Sequence, residues 1–247
     1  MLLTLWSPKG GSGTSVFAAA VALAIARETV AREPGGRGVA LEPAAAVRLA
    51  DLTGDQPAVL GLGADPALGL SDWMAVGPEA PGEALDRMAV EVAAGCALLP
   101  FGAAATEARA EAGAALAVVL RDSPGPVVAD CGTATPAAVR ACAELADVTV
   151  AVLRPCYLAL RRAVHSPLLA HTRGVVIVEE SGRALGAREV TEVLDLPVLA
   201  RVPQRIEIAR AVDAGVVTTR LPTALARPAL QLAGRAGLLP ARRGAAA

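Results

Sequence analysis

The sequence predicts a doubly wound α/β domain with a mostly parallel sheet and helices on both faces. Three observations carry that reading. Short apolar runs of β-forming residues alternate with Ala-rich stretches of helical length, the signature of successive βα units. Runs such as Val148-Thr149-Val150-Ala151-Val152-Leu153 are almost wholly apolar, which suits strands covered on two sides. Gly/Pro clusters punctuate the chain, but no linker or internal repeat divides it, so residues 1–247 are read as one domain.

In chain order, Leu2 to Trp6 is the first strand, with Trp6 a core residue, followed by a turn over Ser7 to Gly13 and a helix from about Thr14 to Arg32. Glu33 to Ala46, rich in Gly and Pro, reads as an inserted surface loop, and Gly61 to Gly82 as another. Further strands are expected at Val47 to Leu52, Ala97 to Pro100, Val127 to Asp130, Val148 to Leu153, Val175 to Val178 and Val198 to Val202. Helices are expected at Thr106 to Arg121, Pro136 to Leu145, Tyr157 to His165, Ala187 to Leu194, Ile206 to Ala214 and Thr223 to Leu238. Pro228, Gly234 and Gly237 interrupt the last stretch, and residues from Ala241 onward read as a mobile tail.

Composition narrows the function. With 54% hydrophobic and 19% charged residues and a net charge of −1, the chain is neither disordered nor supercharged. It lacks the global basic excess of most nucleic-acid binders, and 2% aromatic residues leave no base-stacking platform. Cys96, Cys131, Cys142 and Cys156 show no C-x-x-C spacing and form no zinc pattern with His165 and His171; they read as inert thiols. Met1 to Gly10 lacks a signal peptide's charged start and apolar stretch. Val16 to Ala26 is too short and too Ala-rich a run to cross a bilayer, so a cytoplasmic location without membrane binding is expected.

Of 23 cationic residues, 22 are arginine; the single lysine, Lys9, lies inside a glycine cluster. Ser7-Pro8-Lys9-Gly10-Gly11-Ser12-Gly13-Thr14-Ser15 stands between a strand and a helix. In that context glycines let backbone N–H groups approach an anion, and the helix points its positive end at the same spot. The usual phosphate-loop string, G-x-x-x-x-G-K-[ST], fails twice, at Pro8 and Thr14.

The loop resembles the deviant form K-G-G-x-G-K-[ST] of the ParA/MinD family of dimer-forming ATPases, including their pilus-positioning TadZ/CpaE-like relatives. The resemblance extends over nearly the whole chain and implies a P-loop NTPase fold of the SIMIBI type. Lys9 matches the family's signature lysine, which reaches the partner subunit's nucleotide, and Gly10, Gly11, Ser12, Gly13 and Thr14 match the phosphate-binding backbone. Ser15 matches the magnesium-holding hydroxyl; Asp130, ending Pro126-Val127-Val128-Ala129-Asp130, matches the Walker B acid that touches magnesium through water. Asp51 matches the first acid of a D-x-D element and is a candidate catalytic group. Glu179 and Pro203, at the ends of two late strands, match the base-reading region.

Three positions depart from the family: Thr14 replaces the loop lysine, Thr53 the water-orienting aspartate, and Glu179 the adenine-reading asparagine. A charge-assisted hydrogen bond contributes about 1.5–3 kcal/mol, so the loss of the lysine alone should weaken nucleotide binding about 10- to 100-fold. The expected function is therefore a dimeric, nucleotide-responsive positioning or scaffolding factor, with ATP or ADP and magnesium as weak ligands and little or no hydrolysis. A second reading is an active ATPase that partitions DNA or other cargo. Residues 201–247, with eight arginines against two acids, would bind DNA non-specifically in that case, as basic surfaces do in ParA-type proteins. A third is a ligand-free protein-interaction module. At the level of single residues, the glycine loop could be a bare tight turn, and Asp51 and Asp130 could serve only to cap strand ends.

Overall fold

The computed structural model describes residues 1–32, 46–103 and 108–239. Its strands are β1 (Leu2–Trp6), β2 (Val47–Asp51), β3 (Val90–Ala93), β4 (Cys96–Leu99), β5 (Val127–Asp130), β6 (Val148–Leu153), β7 (Thr172–Glu179) and β8 (Val198–Pro203). Its helices are α1 (Thr14–Arg32), α2 (Gln56–Leu60), α3 (Leu70–Val76), α4 (Glu83–Met88), α5 (Ala110–Arg121), α6 (Ala137–Glu144), α7 (Tyr157–Val164), α8 (Ala187–Leu194), α9 (Ile206–Asp213) and α10 (Thr223–Arg235). The strands form one sheet in the order β3-β4-β2-β5-β1-β6-β7-β8, parallel except for β3. The expected doubly wound sheet is thus observed.

Strand parity sorts the core into two layers. Leu3 and Leu5 of β1, Leu49 of β2, Val128 of β5, and Val150 and Val152 of β6 pack on the α1 and α10 side. Leu2, Trp6, Ala50, Ala129, Ala151 and Leu153 face α3, α5 and α6 on the other side. Because side chains alternate along a strand, this parity also decides which polar residues emerge on which side at the strand ends.

The first helix explains the Ala-rich composition. α1 lies between the sheet and α10, and Phe17 through Ala26 are all buried. A helix enclosed on most sides is apolar all round instead of amphipathic, and alanine lets two layers approach it closely. At 19 residues α1 extends beyond the apolar run Val16 to Ala26 and is, by length and composition, long and apolar enough to cross a membrane. Its burial in the core occupies those surfaces with protein contacts.

Several boundaries differ from the sequence reading. β3 was not expected: its four residues alternate too briefly for a period to register, and it is held as an antiparallel edge strand by β4 after a turn at Gly95, whose φ is +73°. β4 begins at Cys96, one residue earlier than expected. α3 lies inside the stretch read as loop; Trp73 anchors it by burial and by donating from Nε1 to the carbonyl of Pro81 at 2.9 Å. The short α2 and α4 were likewise missed, since one or two turns give almost no periodic signal. α10 runs through Pro228 instead of breaking there. A proline removes one helical hydrogen bond, but Leu225, Ala229, Leu232 and Ala233 are buried and hold the helix together. These residues pack against α1 and β8. Most of the expected loop at 33–46, the start of the expected helix at Thr106, and the tail from Ala241 lie outside the described residues.

The tightest helix contact is between α5 and α6. A Cβ added at Gly113 would run into the backbone carbonyl of Ala138. Gly113→Ala should therefore lower stability by about 1–3 kcal/mol through overpacking, despite alanine's better helix propensity. Gly234→Ala, where the added Cβ meets only Leu239 Cδ1 at 3.6 Å, should be neutral or slightly stabilising. Urea unfolding followed by circular dichroism compares the two.

Candidate functional site

β1 sits between β5 and β6, and at the carboxyl ends of these strands the chain opens into the glycine loop. The connection from β1 runs to β2 in one half of the sheet, while the connection from β5 crosses β1 to β6 in the other half, and such a switch point creates a crevice where ligands of parallel sheets bind. The loop is braced from within. Ser7 N–H donates to the carbonyl of Gly132 at 2.7 Å, while the hydroxyls of Ser7 and Ser12 both donate to the carbonyl of Lys9, at 2.7 and 2.8 Å. Gly11 and Gly13 have φ of +76° and +85°, conformations that L side chains rarely adopt. Added Cβ atoms at Gly10, Gly11 or Gly13 would meet nothing within 4 Å. Around these three glycines the loop therefore opens to free space and does not pack against its surroundings.

α1 starts at Thr14, with the N–H of Phe17 reaching back to the carbonyl of Gly13 at 2.9 Å. The first N–H groups of a helix lack helical partners, and those of α1 stand at the end of the glycine loop. Thr14 itself is buried. Lys9 is part-exposed; its ammonium lies 3.4 Å from the carbonyl of Gly10 and forms no ion pair among the described residues.

Beside the loop lie two buried acids. Asp51 and Asp130 end neighbouring strands, stand opposite one another in register and are both 0% exposed. Parity puts both on the α1 side, since Leu49 and Val128 precede them there by two residues. Asp51 is enclosed by its own loop: Oδ1 accepts from the N–H and hydroxyl of Thr53 and from the N–H of Gly54, and Oδ2 accepts from the N–H of Gln56. Asp130 Oδ1 accepts from the N–H of Gly132 at 3.1 Å, and Oδ2 accepts from Gln56 Nε2 at 2.8 Å. Thr53 Oγ1 lies within 3.2 Å of Asp130 and 2.9 Å of Asp51, but its one proton serves a single carboxylate at a time.

Burial raises the pKa of both carboxyls, and the hydrogen bonds pull it back only in part. For Asp130 the counteracting donors include the Ser15 hydroxyl and Gln56, while the charge of Asp51 adds to the increase. Ser15 Oγ also reaches Asp55 Oδ2 at 3.2 Å. The fold thus brings Ser15 and Asp130 together, as expected, and places Asp51 one strand further out as the cap of the 52–56 turn. Glu179 and Pro203 pair with each other at the ends of β7 and β8. Glu179 is exposed, and Arg201 approaches it at 3.6 Å.

Two residues near this centre were not singled out by the sequence reading. Gln56 is 0% exposed and spans the site, donating to Asp130 and to the carbonyl of Ser15 at 3.0 Å, yet its Oε1 has no partner. Asp55 supplies the carboxylate next to Ser15. The only sequence signal was a glutamine directly before Pro57 at a helix start, which gives no hint of burial. The four cysteines play no part here. Burial pushes the Cys96 and Cys142 thiols up to about 12 and raises Cys131 as well, and Cys156 Sγ accepts from the N–H of Ala159 at the start of α7.

The residues present fit a phosphate and a magnesium ion. The open space around the loop glycines leaves room for phosphate oxygens, and the orphaned Gln56 Oε1 is an acceptor suited to a metal-bound water. Among the described residues no three His, Cys, Asp or Glu side chains form a metal-binding group. Magnesium is usually held by one or two protein groups together with phosphates and waters, and the Ser15 hydroxyl beside Asp130 offers two such groups.

Neither a protein-family model nor a curated protein matches the chain. Solved structures do. A ParA family ATPase from Chlorobium tepidum TLS superposes with a TM-score of 0.73 at 20% identity, covering 94% of this chain and 96% of that one. The septum site-determining protein MinD complexed with Mg-ADP, from Pyrococcus horikoshii OT3, gives 0.71 at 17% identity, covering 95% and 94%. The ATP complex of a Cyanothece McdA variant gives 0.70 at 14% identity, covering 98% of both chains. At these identities the likeness speaks to architecture: the chain has the fold of the ParA/MinD P-loop ATPases.

Proposed function

We propose that the protein is a nucleotide-responsive positioning or scaffolding factor that acts as a dimer and hydrolyses ATP weakly or not at all. The observation that carries this reading is an open, braced phosphate loop beside the Ser15–Asp130 pair, combined with threonines at 14 and 53. In this reading the amides of Gly10 to Thr14 surround phosphate oxygens, and Lys9 adds a mobile cation toward a second subunit's nucleotide. Ser15 and Asp130 hold magnesium, Asp130 through water. The metal, when bound, neutralises phosphate charge. Gln56 orients Asp130 and keeps its carboxylate aimed at Ser15.

Hydrolysis would need an attacking water to be oriented and phosphate charge to be stabilised. Thr53 spends its hydroxyl proton on the buried acids, and Thr14 carries no charge. Occupancy, more than turnover, is then the signal, and closure of two subunits around nucleotide would complete a surface for a partner protein. The nucleotide carried by the MinD and McdA structures supports the ligand class.

Titration of fluorescent ADP and ATP with magnesium tests the reading. The wild type should bind, Thr14→Lys should bind about 10- to 100-fold more tightly, and Lys9→Ala should lose nucleotide-dependent dimerisation on size-exclusion chromatography. No binding by wild type and Thr14→Lys at millimolar nucleotide would leave an interaction module without a ligand. Turnover at the rate of active relatives, abolished in Lys9→Ala, would instead identify a working ATPase.

A second expectation follows from the acids. The folded pKa of Asp130 lies above its unfolded value, so ionisation opposes folding: the penalty is absent below the ordinary carboxylate range and grows as pH rises through the raised value. Asp130→Asn should therefore melt higher than wild type at pH 8 without ligand, with a margin that shrinks toward pH 4, while losing magnesium-dependent nucleotide binding. A lower melting temperature at pH 8 would mean that the carboxylate's hydrogen bonds outweigh its burial.

A further inference from the structure

Arg154 is the first residue after β6, the strand hydrogen-bonded to β1 on the side away from the acids. In register Leu5 faces Val150 and Trp6 faces Ala151, so Arg154 stands three positions past the last pair, at the level where β1 has opened into the glycine loop. Val150 and Val152 belong to the layer under α1, whereas Ala151 and Leu153 belong to the opposite layer. The alternation carries Arg154 to the α1 side, the same side as Asp51, Asp130 and the start of α1. Its side chain is only part-exposed, its Nε is buried without a hydrogen-bond partner, and it takes part in none of the ion pairs among the described residues.

A guanidinium cannot shed its charge to relieve burial, as a lysine or carboxyl can. A buried donor left without an acceptor is costly, so the unpartnered Nε of this part-exposed cation, at the level of the glycine loop, calls for an anion. Thr14 leaves that loop one cation short, and a planar fork of N–H donors suits phosphate oxygens. We infer that Arg154 supplies the missing second cation, binding the nucleotide's phosphates from the β6 side of the loop. The site takes a nucleoside di- or triphosphate, or the pyrophosphate it contains. This inference rests on the nucleotide-binding reading above and assigns within it the group that replaces the loop lysine.

The test compares wild type, Arg154→Gln, Arg154→Lys and the double variant Arg154→Gln/Thr14→Lys. Fluorescent ADP with magnesium is the probe, inorganic pyrophosphate the competitor, and the ligand-free melting temperature is recorded in parallel. Arg154→Gln should weaken both ADP and pyrophosphate about 10- to 100-fold. Arg154→Lys should keep most of the affinity, and the double variant should regain it. Without ligand, Arg154→Gln should melt at or above the wild-type temperature, because it removes an unpaired charge. Wild-type binding that Arg154→Gln leaves unchanged would overturn this inference and spare the nucleotide reading, whereas absent wild-type and Thr14→Lys binding would overturn both. Weakened binding together with a lower ligand-free melting temperature and no recovery in the double variant would assign Arg154 to packing, and would also overturn the proposal.

Discussion

Two carboxylates buried side by side at the ends of β2 and β5 set the terms for the rest of the site. Asp51 and Asp130 face each other across a strand pair with no exposed surface, so each repels the other and neither reaches water. Such a pair persists only if donors converge on it. The chain provides them from the turn after β2: Thr53, Gly54 and Gln56 close on Asp51, and the Gln56 side chain crosses to Asp130. The turn's shape, the start of α2 and the anchoring of Ser15 through its carbonyl all follow from that need.

The same arrangement explains why the site is polarised. Acids and their donors occupy the β2–β5 side of the loop, while Lys9 and Arg154 carry the positive charge elsewhere, neither in an ion pair within the described residues. A loop of inward amides between them is a place where a polyanion and a divalent cation neutralise both sets of charges at once. In the proposed function, binding would draw on the loop backbone, whereas hydrolysis would draw on the positions that Thr14 and Thr53 occupy.

Packing supports the loop from beneath. α1 must bring its first amides to the mouth of β1 and still bury itself under α10, and only small side chains allow both. The alanines of α1 serve that end, and on the other face of the sheet Gly113 lets α5 approach α6 as closely, with little volume spent on side chains. The low aromatic content noted in the composition is the counterpart of this close layering.

Much of this protein was legible before any coordinates. Seven of the eight strands among the described residues, the glycine turn after β1 and the buried acid that ends β5 could be read because each leaves a local trace: a run of apolar residues, a glycine cluster, an acid at a strand end. β3, α2, α3 and α4 could not, since segments of one or two turns or four strand residues carry too few periods to stand out. Gln56, Asp55 and Arg154 were equally silent. Their importance depends on which strands are neighbours and on which side of the sheet each strand end emerges, and those are properties of strand order and register. The sequence alone determined the fold class and the place of the glycine loop within it; only the tertiary structure decided which buried groups surround that loop, because burial and charge pairing are set by residues distant in the chain.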